Sequence, residues 1–215
     1  MWFGTASGLN RYDGYDTRIY RSLKDDAIRC RIVILRTFRK MLLEILWVRT
    51  GAGIWPFITL YPIFFDRNVE GWMWHIGISG NPSTVYIDSE KIFWIYVAGK
   101  GIYCYKPGQE NAVMVAGTDT LLTEMNITDM TECSEGILLA FGNGVLACLD
   151  REKLNVKWTF DGIASQWGKN QSETFTLFVD SMNVSGCIAL KECGFTICRR
   201  KAGRCVLSGA IALTW

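Results

Sequence analysis

Histidine is nearly absent from this sequence, which has one, His75, among 215 residues. A Ser-His-Asp triad would need that histidine beside a strained nucleophile, and no Gly-x-Ser-x-Gly elbow occurs in the sequence. The glycine-rich patterns that bind nucleotide phosphates, Gly-x-x-x-x-Gly-Lys-Ser/Thr and Gly-x-Gly-x-x-Gly, are missing as well. The sequence therefore disfavours hydrolases and nucleotide-dependent enzymes, and we expect no catalytic residues.

Closely spaced cysteine pairs are also missing. The four C-terminal cysteines, Cys187, Cys193, Cys198 and Cys205, have five, four and six residues between them, with no Cys-x-x-Cys pair and no nearby histidine. Zinc sites favour tighter pairs. The sequence predicts no metal site and no cofactor.

Neither a strong net charge nor a long apolar run is present. The 23 basic and 21 acidic residues leave a formal charge of +2, which gives no overall attraction to nucleic acid, so no nucleic-acid partner is expected. The apolar segment IWPFITLYPIFF at 54–65 is twelve residues long, shorter than the ~20 residues of a membrane-spanning helix. That segment is better interpreted as a buried pair of strands, or as a segment without stable structure.

Aromatic residues and glycine are abundant instead. The chain has nine Trp, eight Tyr, eleven Phe and 21 Gly, against four Pro. This composition favours strands and turns over helices. We therefore predict an all-β protein.

A short pattern recurs about every 45 residues. Each copy has a bulky residue, a short strand, a small-residue turn that ends in glycine and an aliphatic residue that opens a second strand. Periods of about 40 to 50 residues are typical of β-propeller blades; the alternative is an antiparallel meander with coincidental glycines. The copies are WFGTASGL (2–9), WVRTGAGI (47–54), WIYVAGKGI (94–102) and LLAFGNGV (138–145), and a fifth blade is predicted to start at about 185.

The first copy and the residues after it, MWFGTASGLNRYDGYDTRIYR, resemble the two-component-regulator propeller repeat, whose pattern is roughly "lWiGT..GLnryDg..f..y". The copies at Trp47 and Trp94 match in part, and the copy at Leu138 matches weakly. The matching residues of the first copy are Trp2, Gly4, Thr5, Gly8, Leu9, Asn10, Arg11, Tyr12, Asp13 and Gly14.

This resemblance implies a fold and a role. Residues 1–215 would form a single, incomplete β-propeller of four to five blades from the periplasmic sensor region of a bacterial hybrid histidine kinase. Such a region is not itself catalytic. It would detect an oligosaccharide, and it would signal to the remainder of a membrane-bound kinase that is dimeric in the intact parent. The chain would then be a piece of a larger protein.

Residues 27–46 interrupt the repeat with five basic residues among aliphatic ones. This pattern predicts an amphipathic helix near 35–46, and with it a stand-alone binding or structural protein that docks on a membrane or a partner. A second hypothesis is a shifted reading frame: moving the frame by two bases restores family-like strings at 28–45, 54–65 and 185–197. The chain would then be the non-functional product of a frameshifted gene, which the nucleotide sequence would decide.

Aromatic residues are the remaining candidates for ligand binding. Trp72, Trp74, Tyr96 and Tyr103 are predicted to alternate along strands, so that one face of each strand is aromatic. Most of these rings are expected in the core between blades. Some could line a ligand site, because flat rings stack on sugar faces. His75 follows Trp74 in the same alternating stretch and is interpreted as an ordinary strand residue.

Overall fold

Nineteen strands and one helix are present in the part of the chain that the computed structural model describes: residues 1–5, 8–20, 38–40, 45–48, 57–60, 63–66, 69–118, 126–161, 175–179, 185–191, 194–201 and 204–212. The chain divides into two compact units, Met1–Ser83 and Thr84–Trp215. The elements are β1 (Trp2–Thr5), β2 (Gly8–Tyr12), β3 (Thr17–Tyr20), β4 (Phe38–Lys40), β5 (Ile45–Val48), β6 (Phe57–Leu60), β7 (Ile63–Asp66), α1 (Val69–His75), β8 (Thr84–Ile87), β9 (Phe93–Val97), β10 (Gly101–Tyr105), β11 (Val113–Met114), β12 (Ile127–Cys133), β13 (Gly136–Phe141), β14 (Leu146–Asp150), β15 (Asn155–Phe160), β16 (Phe175–Val179), β17 (Ser185–Lys191), β18 (Gly194–Lys201) and β19 (Arg204–Ala212).

The first unit contains two antiparallel sheets. Sheet 1 has the order β1-β2-β3 and sheet 2 the order β4-β5-β6-β7. The turn between β2 and β3 is fixed by Asp13, whose Oδ1 accepts hydrogen bonds from the backbone N–H groups of Tyr15 (3.0 Å) and Asp16 (2.9 Å). Gly14 adopts φ = 114° in this turn, a conformation that favours glycine.

The helix predicted near 35–46 is replaced by strands in the described residues. Strand β4 pairs with β5, and β5 pairs with β6. A basic amphipathic pattern gives only a weak preference for helix, and pairing with neighbouring strands overrides that preference here. Residues 21–37 and 41–44 lie outside the described residues.

The helix that is present, α1, occupies a stretch that the sequence predicted as strand. Trp72, Trp74 and His75 therefore lie on a helix and not on alternating faces of a strand. The buried residues of α1 are Val69 and Met73, which are four positions apart and so share one helix face. A short Trp-x-Trp alternation fits a helix as well as a strand. Burial of Val69 and Met73, which lie on one helix face, favours the helix.

The second unit contains three four-stranded antiparallel sheets. They are sheet 3 (β8 to β11), sheet 4 (β12 to β15) and sheet 5 (β16 to β19), each with its strands in chain order. The predicted repeat starts fall at equivalent places: Trp94 lies in β9, Leu138 in β13 and residue 185 opens β17, and each of these strands is the second of its sheet. The repeat in the sequence is therefore a repeat of hairpins in the structure.

Sheet 4 is packed on both faces. Its strand β13 is buried along its whole length, and its residues alternate between two clusters. Ile137, Leu139 and Phe141 pack with Trp94, Tyr96 and Ile102 of sheet 3. Leu138 and Ala140 pack with Phe175 and Leu177 of sheet 5. A strand that is covered on both sides has to be apolar throughout, which explains the run GILLAF.

Side chains also join sheet 4 to sheet 5. The hydroxyl of Thr128 donates to the carbonyl oxygen of Phe175 (3.2 Å) and accepts from its N–H (3.3 Å). Asp129 Oδ2 accepts from the N–H of Leu177 at 2.8 Å. Strand β12 thus binds the backbone of β16, the first strand of the next sheet. Stacked, sequentially wound antiparallel sheets of this kind are typical of propeller blades.

No helix among the described residues has the length and apolar character needed to cross a membrane.

Candidate functional site

Asp88 organises the β8–β9 turn of sheet 3. Asp88 as a residue is 3% exposed. Oδ1 accepts hydrogen bonds from the N–H groups of Glu90 and Ile92, and Oδ2 accepts from Trp94 Nε1, all at 3.0 Å. A buried carboxylate with this many donors is well compensated. The turn is therefore rigid, and Lys91 within it is held at φ = 69°, which is unusual for a residue with a side chain.

Glu132 and Arg151 connect this turn to sheet 4. Glu132 Oε2 accepts from the N–H of Ser89 (2.8 Å), and Oε1 accepts from the Ser89 hydroxyl (2.6 Å). Arg151 Nη2 forms an ion pair with Glu132, and Nη1 lies 3.4 Å from Glu90 Oε1. The Nε of Arg151 is buried and has no hydrogen-bond partner among the described residues. Arg151 is thus anchored by two carboxylates, whereas its buried Nε donates no hydrogen bond within this part of the chain.

The electrostatics of Glu132 follow from these contacts. Burial raises the pKa of this carboxyl, but hydrogen bonds from Ser89 and Arg151 outweigh burial, so that the pKa lies below its ordinary value. The backbone N–H of Glu132 donates to the hydroxyl oxygen of Tyr86 at 3.0 Å. Both the side chain and the backbone of Glu132 therefore tie sheet 4 to sheet 3.

The turns of these two sheets surround a polar pocket of about 540 Å³, here called the turn pocket. It contains five carboxylates and three cations together with one thiol, from Cys133. The wall is built from the β8–β9, β12–β13 and β14–β15 turns and from Lys106, which follows β10. Its lining residues are Glu90, Ile92, Lys106, Glu132, Cys133, Ser134, Glu135, Gly136, Asp150, Arg151, Glu152 and Lys157.

Further hydrogen bonds hold the far wall of the turn pocket. Asp150 Oδ1 accepts from the N–H groups of Glu152 (3.0 Å) and Lys153 (2.9 Å), and these bonds lower the pKa of Asp150. Trp158 Nε1 donates to Glu135 Oε2 at 3.1 Å. The charged groups are therefore positioned by local structure before any ligand arrives. Such an arrangement can bind a polar molecule, since fixed donors and acceptors lose little entropy on binding.

The four aromatic candidates from the sequence are not brought together. Tyr96 is 1% exposed and belongs to the core between sheets 3 and 4. Tyr96 pairs with Ile102, whereas Tyr103 pairs with Ile95, so the two tyrosines lie on opposite faces of sheet 3. Trp72 is half-buried, and Trp74 is 78% exposed. Of the four, Trp74 alone presents most of its surface to solvent.

The surroundings of Tyr96 are those of a core residue and not of a ligand site. Its hydroxyl lies 3.3 Å from Asn126 Oδ1, and burial raises its pKa. The expectation that most of these rings form core holds for Tyr96. Gly53 and the side chains of Cys187, Cys193, Cys198 and Cys205 lie outside the described residues. Within the described part of the chain, no three His, Cys, Asp or Glu side chains are placed so that they could hold one metal ion.

The sequence did not single out the residues of the turn pocket. Glu90 lies 61 residues from Arg151 in the chain, and the two meet only because successive sheets place their turns side by side. One local signal was available. The acidic residue six positions before Trp94, in DSEKIFW, marks a hairpin whose buried carboxylate receives the indole N–H.

No family model and no curated protein sequence matches this chain. Solved structures do. The extracellular domain of BT3049 from B. thetaiotaomicron, described as a hybrid two-component system, has a TM-score of 0.66 at 14% identity over 96% of this chain and 28% of that one. The corresponding domain of BT4673 has a TM-score of 0.66 at 15% identity over 98% and 28%. The WD40 β-propeller domain of Doa1 has a TM-score of 0.53 at 11% identity over 99% and 64%.

These similarities show the fold. The chain is an all-β, incomplete β-propeller, as the repeats and the family resemblance together predicted. It spans less than a third of the length of the two extracellular domains that it resembles. That residues 1–215 form a single domain stays a prediction.

Proposed function

We propose that this chain is the ligand-sensing, non-catalytic propeller portion of an extracellular two-component sensor, and that the turn pocket is its ligand site. The observation that carries the proposal is the set of fixed charged groups around one cavity, with Arg151 held by Glu132 and Glu90. Similarity in fold to extracellular domains of two-component systems supports the sensing role.

The ligand that we propose is an oligosaccharide. Sugar hydroxyls both donate and accept hydrogen bonds, which suits a cavity that offers carboxylate acceptors and ammonium donors side by side. Carboxylates outnumber cations in the lining. The turn pocket should therefore favour neutral sugars or amino sugars over uronic acids and sulfated sugars.

The rest of the signalling assembly would lie outside this chain. We propose that the propeller is part of a periplasmic region and reports ligand binding to a membrane-bound histidine kinase, which is dimeric in the intact protein. A sensor of this design needs no catalytic group of its own.

The test is calorimetric titration of the full chain with a panel of neutral, amino and acidic oligosaccharides. Lys106→Met removes an exposed cation from the pocket lining, and we expect it to weaken binding about tenfold, the value of one charge-assisted hydrogen bond. The matched control is Lys153→Met, which removes an exposed lysine that does not line the pocket. Equal affinities for both variants, or no binding of any sugar, would refute the proposal.

Trp74 offers a second candidate surface because this residue is 78% exposed. Exposed indole rings stack on sugar faces, so Trp74→Ala belongs in the same titration. Loss of binding in this variant, with Lys106→Met unaffected, would move the ligand site from the turn pocket to helix α1.

A further inference from the structure

Sheet 1 has one strand fewer than each of the other sheets. In the part of the chain that the structure describes, sheets 2 to 5 have four strands and sheet 1 has three. The repeat starts Trp47, Trp94 and Leu138 lie in β5, β9 and β13, each the second strand of its sheet, whereas Trp2 lies in β1, the edge strand of sheet 1. Strand β1 therefore corresponds to a second strand, and no described strand occupies the place of a first strand beside it.

The pairing of Trp94 shows what a first strand contributes. Trp94 lies opposite Tyr86 of β8, the first strand of sheet 3, and opposite Cys104 of β10, the third. The repeat starts in β5 and β13 likewise have partners on both sides. Among the described residues, Trp2 lies opposite Arg11 of β2 alone. Sheet 1 thus ends at β1, on the side where each of the other sheets continues to a first strand.

The backbone of β1 directs hydrogen-bonding groups to that side. The Met1 amino group donates to the carbonyl oxygen of Tyr12 (2.6 Å), and the N–H of Tyr12 donates to the carbonyl oxygen of Met1 (2.8 Å), so these two residues form a hydrogen-bonded pair. Such pairs alternate with non-hydrogen-bonded ones along an antiparallel ladder. The backbone N–H and C=O groups of Trp2 and Gly4 therefore point away from β2, and we call them the open edge of β1.

Sheet 3 shows that the open edge has the phase that a first strand needs. The N–H of Asp88 donates to the carbonyl oxygen of Ile92 at 3.1 Å, at the turn end of the β8–β9 ladder. By the same alternation, Tyr86 and Trp94, two positions further along their strands, form a hydrogen-bonded pair. Trp94 thus bonds to β8 through the same backbone groups that Trp2 directs away from β2.

We propose that the open edge of β1 is an interaction surface, where an extended polypeptide segment adds to sheet 1 as an antiparallel strand in the place of a first strand. The N–H and C=O groups of Trp2 and Gly4 supply the hydrogen bonds to the segment. In strand addition, main-chain hydrogen bonds of this kind give affinity, and the side chains of the added strand give specificity.

The described first strands indicate the chemistry of the segment. Strand β8 consists of β-branched and aromatic residues, TVYI, and is buried along its length. Strand β16 has the similar sequence FTLFV. Residues of these types favour extended backbone. The partner is therefore an uncharged segment of such residues, and not the β1 edge of a second copy, in which Gly4 weakens the strand.

The experiment titrates the full chain with a fluorescently labelled peptide of sequence STVYIDS, which is that of residues 83–89, and follows fluorescence anisotropy. In the register of β8, the tyrosine of the peptide lies opposite Trp2 and its first threonine opposite Gly4. A peptide N-methylated at this threonine and tyrosine cannot donate to the open edge and should bind at least about tenfold more weakly. The matched control, N-methylated at valine and isoleucine, should bind like the unmodified peptide because these groups face away from β1.

Hydrogen exchange measured by NMR locates the bound peptide. The amide protons of Trp2 and Gly4 should exchange more slowly when the peptide is bound, whereas those of β9 should not change, which distinguishes addition to β1 from displacement of β8. Gly4→Pro removes one donor of the open edge and should weaken binding, while circular dichroism checks the fold. Proline is tolerated in an edge strand where its nitrogen faces outward.

Four results would each overturn the proposal. The first is that the peptide does not bind, and the second is that the two N-methylated peptides bind alike. The third is that the amides of Trp2 and Gly4 gain no protection. The fourth is a dimer in analytical ultracentrifugation that protects these two amides and persists with the peptide in excess, because a second copy would then occupy the open edge.

Discussion

At the scale of one residue, the buried carboxylate of Asp88 stabilises the β8–β9 hairpin by accepting hydrogen bonds from it. Its two oxygens receive three N–H donors, one of them the indole of the fully buried Trp94. We expect Asp88→Asn to destabilise the protein by about 2 kcal/mol, because an amide NH₂ would face the indole N–H and leave a buried donor unpaired. Urea denaturation measures the loss.

A double-mutant cycle provides the control for Asp88. Trp94→Phe removes the indole donor, so the penalty of Asp88→Asn should be smaller in that background. An equal penalty in both backgrounds would show that Trp94 is not the partner that matters.

Glu132 gives a pH-dependent prediction at the same scale. Its pKa in the folded protein lies below the ordinary 4.5. The stability that it contributes is therefore complete above the unfolded pKa and is lost as the pH falls through the folded pKa. Between pH 5 and pH 3 we expect the free energy of unfolding to fall less steeply in Glu132→Gln than in the wild type.

Urea denaturation at several pH values tests the prediction for Glu132. Glu152→Gln, which alters an exposed carboxylate in the same pocket, should leave the acid dependence almost unchanged. Identical slopes for wild type and Glu132→Gln would contradict the assignment.

At the scale of the element, the missing side chain of Gly136 allows the start of β13 to lie close to the backbone of β14. A Cβ at this position would collide with the backbone carbonyl of Leu149, and Gly136 also has φ = 145°. Gly99 has φ = 72° as well, but nothing lies within 4 Å of its would-be Cβ. Gly136→Ala should therefore cost at least about 2 kcal/mol more than Gly99→Ala, which carries the backbone penalty alone. Similar losses in denaturation would show that β14 can move aside.

The segment at 27–46 provides a second prediction at this scale. Strands β4 and β5 pair with each other, and β5 pairs with β6. We expect no gain of helix by circular dichroism when the chain is mixed with anionic vesicles, because forming that helix would require these pairs to separate. A clear helical gain would instead support the membrane-docking hypothesis.

Particular elements show what the sequence could and could not predict. Strands β9 and β13 were predictable because a bulky residue, a turn glycine and an aliphatic residue recur at equal spacing, and Gly101 and Gly144 do adopt positive φ. Helix α1 was mispredicted because Trp72 and Trp74 suggest alternation, whereas burial of Val69 and Met73 decides the element.

The turn pocket could not be predicted from the sequence because its contacts are non-local. Arg151 meets Glu90, 61 residues away, only after two sheets have stacked. No local sequence pattern indicates that these two residues come into contact.

The hypothesis of a shifted reading frame at 28–45, 54–65 and 185–197 stays a prediction, and the nucleotide sequence is its direct test.

At the scale of the whole molecule, the second unit has a hydrophobic core of its own, as an independently folding domain requires. Both of its described core clusters are built from residues between Tyr86 and Val179. We expect a segment that starts at Thr84 and ends at Trp215 to unfold cooperatively by itself. Asp88→Asn should destabilise this segment and the full chain equally, within about 0.5 kcal/mol, because every partner of that carboxylate lies within the segment. A segment without a cooperative transition, or an Asp88→Asn penalty that differs between the two, would show that the stability of this unit depends on residues 1–83.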